Sequence, residues 1–166
     1  MTFYGTAEGF RDYHTARGRD VTDYADDALV EAALLVASEW IDAVYFPPSW
    51  PYYKTGGSAQ VRHWPAIGVI DGYGYAVPKD TVPYQVEHAT YEAALRHLQS
   101  PDALSPDYTP NKYKRVSIHG SVSVDYAKTD QAFDVQSQYP IIDLILESLL
   151  GGGGRMSALS GAVARV

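Results

Sequence analysis

The chain has no cysteine among its 166 residues, which excludes a disulfide framework and any cysteine-based zinc site. That lack fits synthesis in a reducing cytoplasm. Long apolar runs are missing as well. The longest, Ala32–Ala37, falls far short of the roughly 20 residues a spanning helix needs, and no window reads as a signal peptide. No membrane association is expected. Basic charge is scarce: 13 Lys and Arg face 20 Asp and Glu, a net charge of −7. Residues 1–150 hold 11 of the basic residues and all 20 acidic ones, so this body carries 11 − 20 = −9. Residues 151–166 carry +2 from Arg155 and Arg165. An acidic body repels phosphate, which opposes nucleic-acid binding by overall charge.

Catalytic patterns are absent too. There is no H-E-x-x-H and no G-x-S-x-G. Gly72-Tyr73-Gly74 lacks the strand–turn–helix setting of a dinucleotide site. Lys54-Thr55 is followed rather than preceded by glycines, so no phosphate cradle forms. Asp20, Asp23, Asp26 and Asp27 lack the glycine and terminal Glu of a calcium loop, and read as a dipole-matched helix start. His88 and Glu92 stand i,i+4, a metal pair without a third ligand. No enzyme activity, cofactor or metal is expected.

Aromatic and apolar residues are plentiful. With 46 % hydrophobic residues the chain can build a core, and its 14 tyrosines and 3 tryptophans suit packed surfaces and interfaces. Thr6 can cap a short helix from Ala7 to about Arg17, stopped by Gly18. A long helix is expected from about Tyr24 to Tyr45, capped by Asp23 or Thr22. Ala25, Leu29, Ala32, Val36, Trp40 and Val44 form its buried stripe, widened by Ala28, Ala33, Ala37 and Ile41, and Pro47 and Pro48 end it. Residues 46–80 read as a long irregular loop rich in Gly and Pro. It carries Phe46, Trp50, Tyr52, Tyr53, Trp64, Tyr73 and Tyr75, which pack either on the chain's own core or on a neighbouring subunit.

A third helix is expected from Pro83 to Leu98 with Thr81 as cap, and with Glu92 and Arg96 paired on its outer face. Over 113–127 the period changes to two, giving a β-hairpin turning near His119-Gly120. Lys112, Lys114 and Arg115 lead into it, either as a nucleic-acid contact or as charges that keep a strand edge solvated. Pro140 opens a fourth helix through Leu150. Four glycines follow as a linker. Met156, Leu159, Val163 and Val166 then recur at helical spacing between Arg155 and Arg165, a C-terminal arm that frays alone or docks on a partner.

The order of these elements is familiar. Tyr13-His14-x-Ala16-Arg17-Gly18 precedes a helix ending Trp40-Ile41-Asp42-x-x-Tyr45. Trp64-Pro65, Val82-Pro83, Ala89-Thr90-x-Glu92-x-Ala94-Leu95 and Pro140-Ile141-Ile142-Asp143-Leu144-Ile145-Leu146 follow. Over about residues 6–150 this resembles the phage family often labelled DnaT-like single-stranded DNA-binding, whose members are similar to head-to-tail adaptors of long-tailed phages and gene transfer agents. Ala66 departs from the basic residue usual after Trp-Pro, and the linker and tail lie outside the resemblance.

The expected fold is mainly α: a small bundle of about four helices, an attached β-hairpin and an extended C-terminal arm. Residues 1–150 form the domain and 151–166 the linker and arm. The expected core includes Leu29, Val36, Trp40, Val86, Ala93, Leu144 and Ile145. The resemblance implies a structural adaptor at the virion neck, made in the bacterial cytoplasm. It implies a dodecameric ring between the portal protein and a stopper or tail-completion protein, with DNA passing through without specific binding. The expected interface comprises Phe46, Trp50, Tyr52, Tyr53, Trp64, Arg155, Met156, Leu159, Val163, Arg165 and Val166. The alternative is a single-stranded-DNA-binding protein of phage replication, using Lys112, Lys114 and Arg115.

Overall fold

A computed structural model describes residues 2–47, 49–104, 115–118, 122–125 and 139–150, the strands 115–118 and 122–125 by their backbone alone. These residues form four α-helices and two small antiparallel ribbons: α1 (Ala7–Thr15), α2 (Asp27–Tyr45), β1 (Tyr53–Lys54), β2 (Ala66–Ile67), α3 (Tyr84–Gln99), β3 (Arg115–Ile118), β4 (Val122–Asp125) and α4 (Pro140–Leu150). The mainly helical fold with its hairpin is thus as expected, while residues 151–166 lie outside the described residues.

Helix α1 starts where expected because the Thr6 side chain accepts the Gly9 N–H at 2.9 Å. Helix α2 starts later than expected. Thr22–Tyr24 is a separate 3₁₀ turn, and Asp26, not Asp23 or Thr22, caps α2 by accepting the Ala28 N–H at 3.0 Å. Helix α3 begins after Pro83 with no side-chain cap, so Thr81 has no capping role.

Helix α3 is the central element. Helices α1, α2 and α4 all pack on it, and Val86, Ala89, Thr90, Tyr91, Glu92, Ala93, Ala94 and Leu95 are buried. Its alanines let the neighbours approach closely. Gly5, at φ +77, lies under Tyr91, and a Cβ there would come within 2.4 Å of that ring.

The core differs from expectation in phase. Val86 and Ala93 are fully buried, and Trp40 and Ile145 pack on the core's edge. Leu29, Val36 and Leu144 are outside, at 47 %, 37 % and 64 % exposure. On α2 the buried face keeps Ala33, Ala37 and Ile41 of the wider expected stripe and adds Val30, Leu34, Ser38, Asp42 and Tyr45. On α4 it is Ile142, Leu146 and Leu149. Both helices carry apolar residues around most of their circumference, so periodicity alone does not select the inner face.

The hairpin pairs Val116 with Val124 and Ile118 with Val122, the register its alternating pattern requires. The 46–80 segment is less irregular than its composition suggests. Tyr53 pairs with Ile67 and Lys54 with Ala66, and an Ile70–Ala76 bridge closes a second tight turn.

Candidate functional site

The conspicuous polar centre joins α1 to α3. Glu92 does not lie on an outer face paired only with Arg96, as its spacing suggests. Its side chain is 1 % exposed. It accepts hydrogen bonds from Tyr13 Oη (3.1 Å), Arg19 Nη1 (2.9 Å) and Arg96 Nη1 (2.8 Å). Burial pushes the Glu92 carboxyl up, but the two guanidinium bonds outweigh it and hold the group below its usual value. Beside it His14 Nε2 donates to the Tyr91 carbonyl at 3.1 Å, and Nδ1 accepts from Arg19 at 3.3 Å. That pattern fixes one neutral tautomer, and burial lowers the His14 pKa accordingly. Burial also pushes the Tyr13 hydroxyl up to about 12. Arg17 lies over the Tyr13 ring at 3.5 Å. Every group here is satisfied internally, so the cluster pins α1 and the Arg19 segment to α3. Glu92 is committed to arginines rather than to a metal with His88, whose ring sits among Tyr13, Tyr84 and Tyr91. Among the described residues no group of three His, Asp or Glu is placed to hold a metal.

A second buried centre anchors the aromatic loop. Asp42 on α2 accepts from Tyr4 Oη at 2.6 Å and from the His63 N–H at 3.3 Å, with Arg62 Nη1 at 3.6 Å. Burial raises its pKa against these three partners. Arg62, itself buried, also binds Glu39 at 2.9 Å and the Thr2 carbonyl at 2.6 Å. Tyr4 Oη accepts the Trp64 N–H at 3.1 Å, and Trp64-Pro65 is cis. Phe46 and Trp64 are fully buried, and Trp50 packs at a tilt against both and edge-on against Tyr52. Of the five loop aromatics assigned to an interface, Phe46 and Trp64 are core, Trp50 and Tyr52 are half-buried, and Tyr53 alone is open, at 78 %.

What the fold leaves outside is apolar. Nine residues of α2 are exposed: Ala28, Leu29, Ala32, Leu35, Val36 and Ala43, with the acids Asp27, Glu31 and Glu39. No Lys or Arg occurs on this helix. A second patch is the turn Asp71–Tyr75. The Asp71 carboxylate accepts the N–H groups of Tyr73 (3.0 Å) and Tyr75 (2.8 Å), and Gly74 adopts φ +88. The two tyrosines are held outward at 76 % and 72 % exposure. The sequence places Tyr73 and Tyr75 among the loop aromatics but not on an outward turn, and Leu29 and Val36 in the core; the Gly-Tyr-Gly-Tyr pattern after an Asp is the turn signal.

Among the described residues, four arginines are committed to acids. Arg11, Arg19, Arg62 and Arg96 bind Asp27, Glu92, Glu39 and Glu92 respectively. Lys54 Nζ donates to the carbonyls of Gln60 and Val61. Arg115 opens β3, while Lys112 and Lys114 lie outside the described residues. So do Arg155, Met156, Leu159, Val163, Arg165 and Val166.

A family model described as "Putative DnaT-like ssDNA binding protein" matches residues 3–166. The chain belongs to this family. The match runs through the glycines and the tail, so residues 151–166 belong to the family's pattern rather than lying outside it. No curated protein and no solved structure matches the chain.

Proposed function

We propose that this family member is a structural subunit of a tailed-phage or gene-transfer-agent neck: an adaptor that forms a ring under the portal. The observation that carries the reading is the outer face of α2. A helix apolar on nearly all sides belongs inside a larger structure. Covering the exposed fractions of Leu29, Leu35 and Val36 contributes about 1–2 kcal/mol per side chain at about 25 cal/mol per Å². Such small contacts, repeated around a ring, add through effective concentration. An acidic body suits a channel wall past which DNA slides, and among the described residues four arginines are tied to carboxylates and so less available to phosphate. The reading assigns the chain no catalytic step. It places the subunit at the head–tail junction between portal and stopper or tail-completion protein.

The test is native mass spectrometry of the purified full chain with and without its portal. The adaptor reading expects a ring, with about twelve copies on the portal. A chain that stays monomeric and ignores the portal contradicts it.

The family description and the outward Tyr73 and Tyr75 favour a second reading, single-stranded-DNA binding, since exposed rings stack bases. It requires affinity that falls with salt at a log–log slope of about −2 if Lys112, Lys114 and Arg115 each meet one phosphate of a single strand. Salt-insensitive or absent binding excludes it.

A further inference from the structure

We propose that the outer face of α2 seats residues 155–166 of a neighbouring copy of this chain. This deepens the ring reading and rests on it.

The face itself restricts its occupant. Its exposed residues are six apolar and three acidic; the helix has no cation of its own, Arg11 and Arg62 pair with Asp27 and Glu39 from elsewhere, and Glu31 is left as the acid without an ion pair among the described residues. An identical face is a poor partner: Asp27 and Glu39 are paired with Arg11 and Arg62, but Glu31, at the middle of the face, has no ion pair among the described residues and would meet its own copy across a two-fold axis there. The occupant must bring an apolar stripe and positive charge. Residues 155–166 do both: Arg155 and Arg165 flank Met156, Leu159 and Val163, and no acidic residue intervenes. The dimensions agree. As a helix, Met156 to Val166 spans about 15 Å, and Leu29 to Trp40 along α2 spans about 16 Å, at 1.5 Å per residue. The spacings also agree. Leu29, Ala32 and Val36 are separated by three and four residues, as are Met156, Leu159 and Val163. The tail lies within the family match, as an element of the domain would.

The same fold places the arm on a neighbour rather than on its own α2. Helix α4 packs on α3, and it is the start of α4 that reaches α2, through Asp143 to Tyr45 and the preceding Tyr139 to Trp40. Its last turn lies elsewhere, where the Ser148 carbonyl accepts the Gly72 N–H and Gln85 reaches the Ser148 hydroxyl. The tail therefore departs from the far end of α4. The outer face of α2 lies beyond both α3 and α2, two helix spacings of about 8–10 Å each. The five Cα steps from Leu150 to Arg155 across the four glycines reach at most about 18 Å when fully extended, which only matches the straight-line separation and falls short of a path around α3. An arm on its own α2 would use its docking residues as tether. A contact passed from each subunit to the next is heterologous, and it closes into a ring when the rotation permits.

Because the chain has no cysteine, introduced thiols report the contact without background. Full-length V36C and L159C chains are mixed, oxidised mildly and analysed by non-reducing electrophoresis, with V36C and S58C as control pair. Val36 and Ser58 are both exposed, so neither change disturbs the core. The expected result is a V36C–L159C dimer at least several-fold above control. It should fall when Glu31→Lys is added to the V36C chain, and return when Arg155→Glu and Arg165→Glu are added to the L159C chain. A bond formed only within a V36C/L159C double variant overturns the neighbour's arm in favour of the chain's own. Rings seen by native mass spectrometry without cross-links overturn the arm contact and leave the ring reading standing. Monomers without cross-links overturn both.

Discussion

Replacing Glu92 with alanine tests whether the buried ionic centre holds α1 to α3. The carboxylate is 1 % exposed and accepts three hydrogen bonds, two of them from arginines. Removing one partner of a buried ion pair costs about 3–5 kcal/mol, because the remaining charges lose their counter-ion. Here the arginines have an escape. Arg19 and Arg96 are 39 % and 25 % exposed at the side chain and can turn to water, which places the loss near the lower end of that range. The buried Tyr13 hydroxyl has no such route and retains its desolvation cost. A loss of about 3 kcal/mol lowers Tm by about 6–12 °C for a chain of this length. Glu92→Gln keeps the shape and the Tyr13 bond but loses the charge, so it should fall by about half as much. Asp27→Ala, which breaks the exposed pair with Arg11, is the internal standard at about 1 kcal/mol or less. Thermal and urea unfolding followed by circular dichroism provide the values. If Glu92→Ala and Asp27→Ala prove indistinguishable, the centre is not the pin described above.

Further outcomes follow from the same structure. Tyr4→Phe removes the hydroxyl that joins Asp42 to the Trp64 N–H, leaving a buried carboxylate and amide short of a partner. It should cost about 1–3 kcal/mol in urea unfolding, and an unchanged midpoint would show the loop is held otherwise. Stability should fall as pH drops from 7 to 5. Burial depresses the pKa values of His14, His63 and His88 below 6.5, so their contribution is complete above that value and is lost as pH falls through and below it. Glu92, also depressed, adds its own loss only below its usual 4.5, whereas Asp42, raised above 3.8, works in the opposite direction at acid pH. A Tm flat from pH 7 to 5 contradicts this assignment. Leu29→Asp with Val36→Asp should leave unfolding within about 1 kcal/mol of the parent, since both sites are exposed, yet abolish ring formation in native mass spectrometry. Loss of residues 151–166 should leave a folded chain by circular dichroism but block tail joining, scored as infectious particles.

The elements were legible where local chemistry decides them. Thr6 caps α1, Pro140 opens α4, and the alternation about His119-Gly120 gives the β3–β4 register. The inner faces of α2 and α4 were not legible, because apolar residues cover most of both helices. Val30–Leu34–Ile41 and Leu29–Ala32–Val36 are equally good stripes, and only tertiary packing against α3 chooses between them. That ambiguity has a functional cause under the ring reading, in which both faces are buried in turn. The loop aromatics divided for a different reason. Asp42 and Arg62 draw the chain inward at Trp64, a long-range pairing with no local signature, and this leaves Tyr53, Tyr73 and Tyr75 outside. Glu92 read as a surface i,i+4 partner of Arg96, because Arg19, its other partner, lies 73 residues away in sequence.

The central claim is that this chain is a neck subunit. Quantitative mass spectrometry of purified particles from the virus or transfer agent that encodes it tests that most directly. The account predicts the chain at the copy number of the portal subunit. Its absence from particles, with presence in the infected cell, would contradict the account and favour a role in DNA replication.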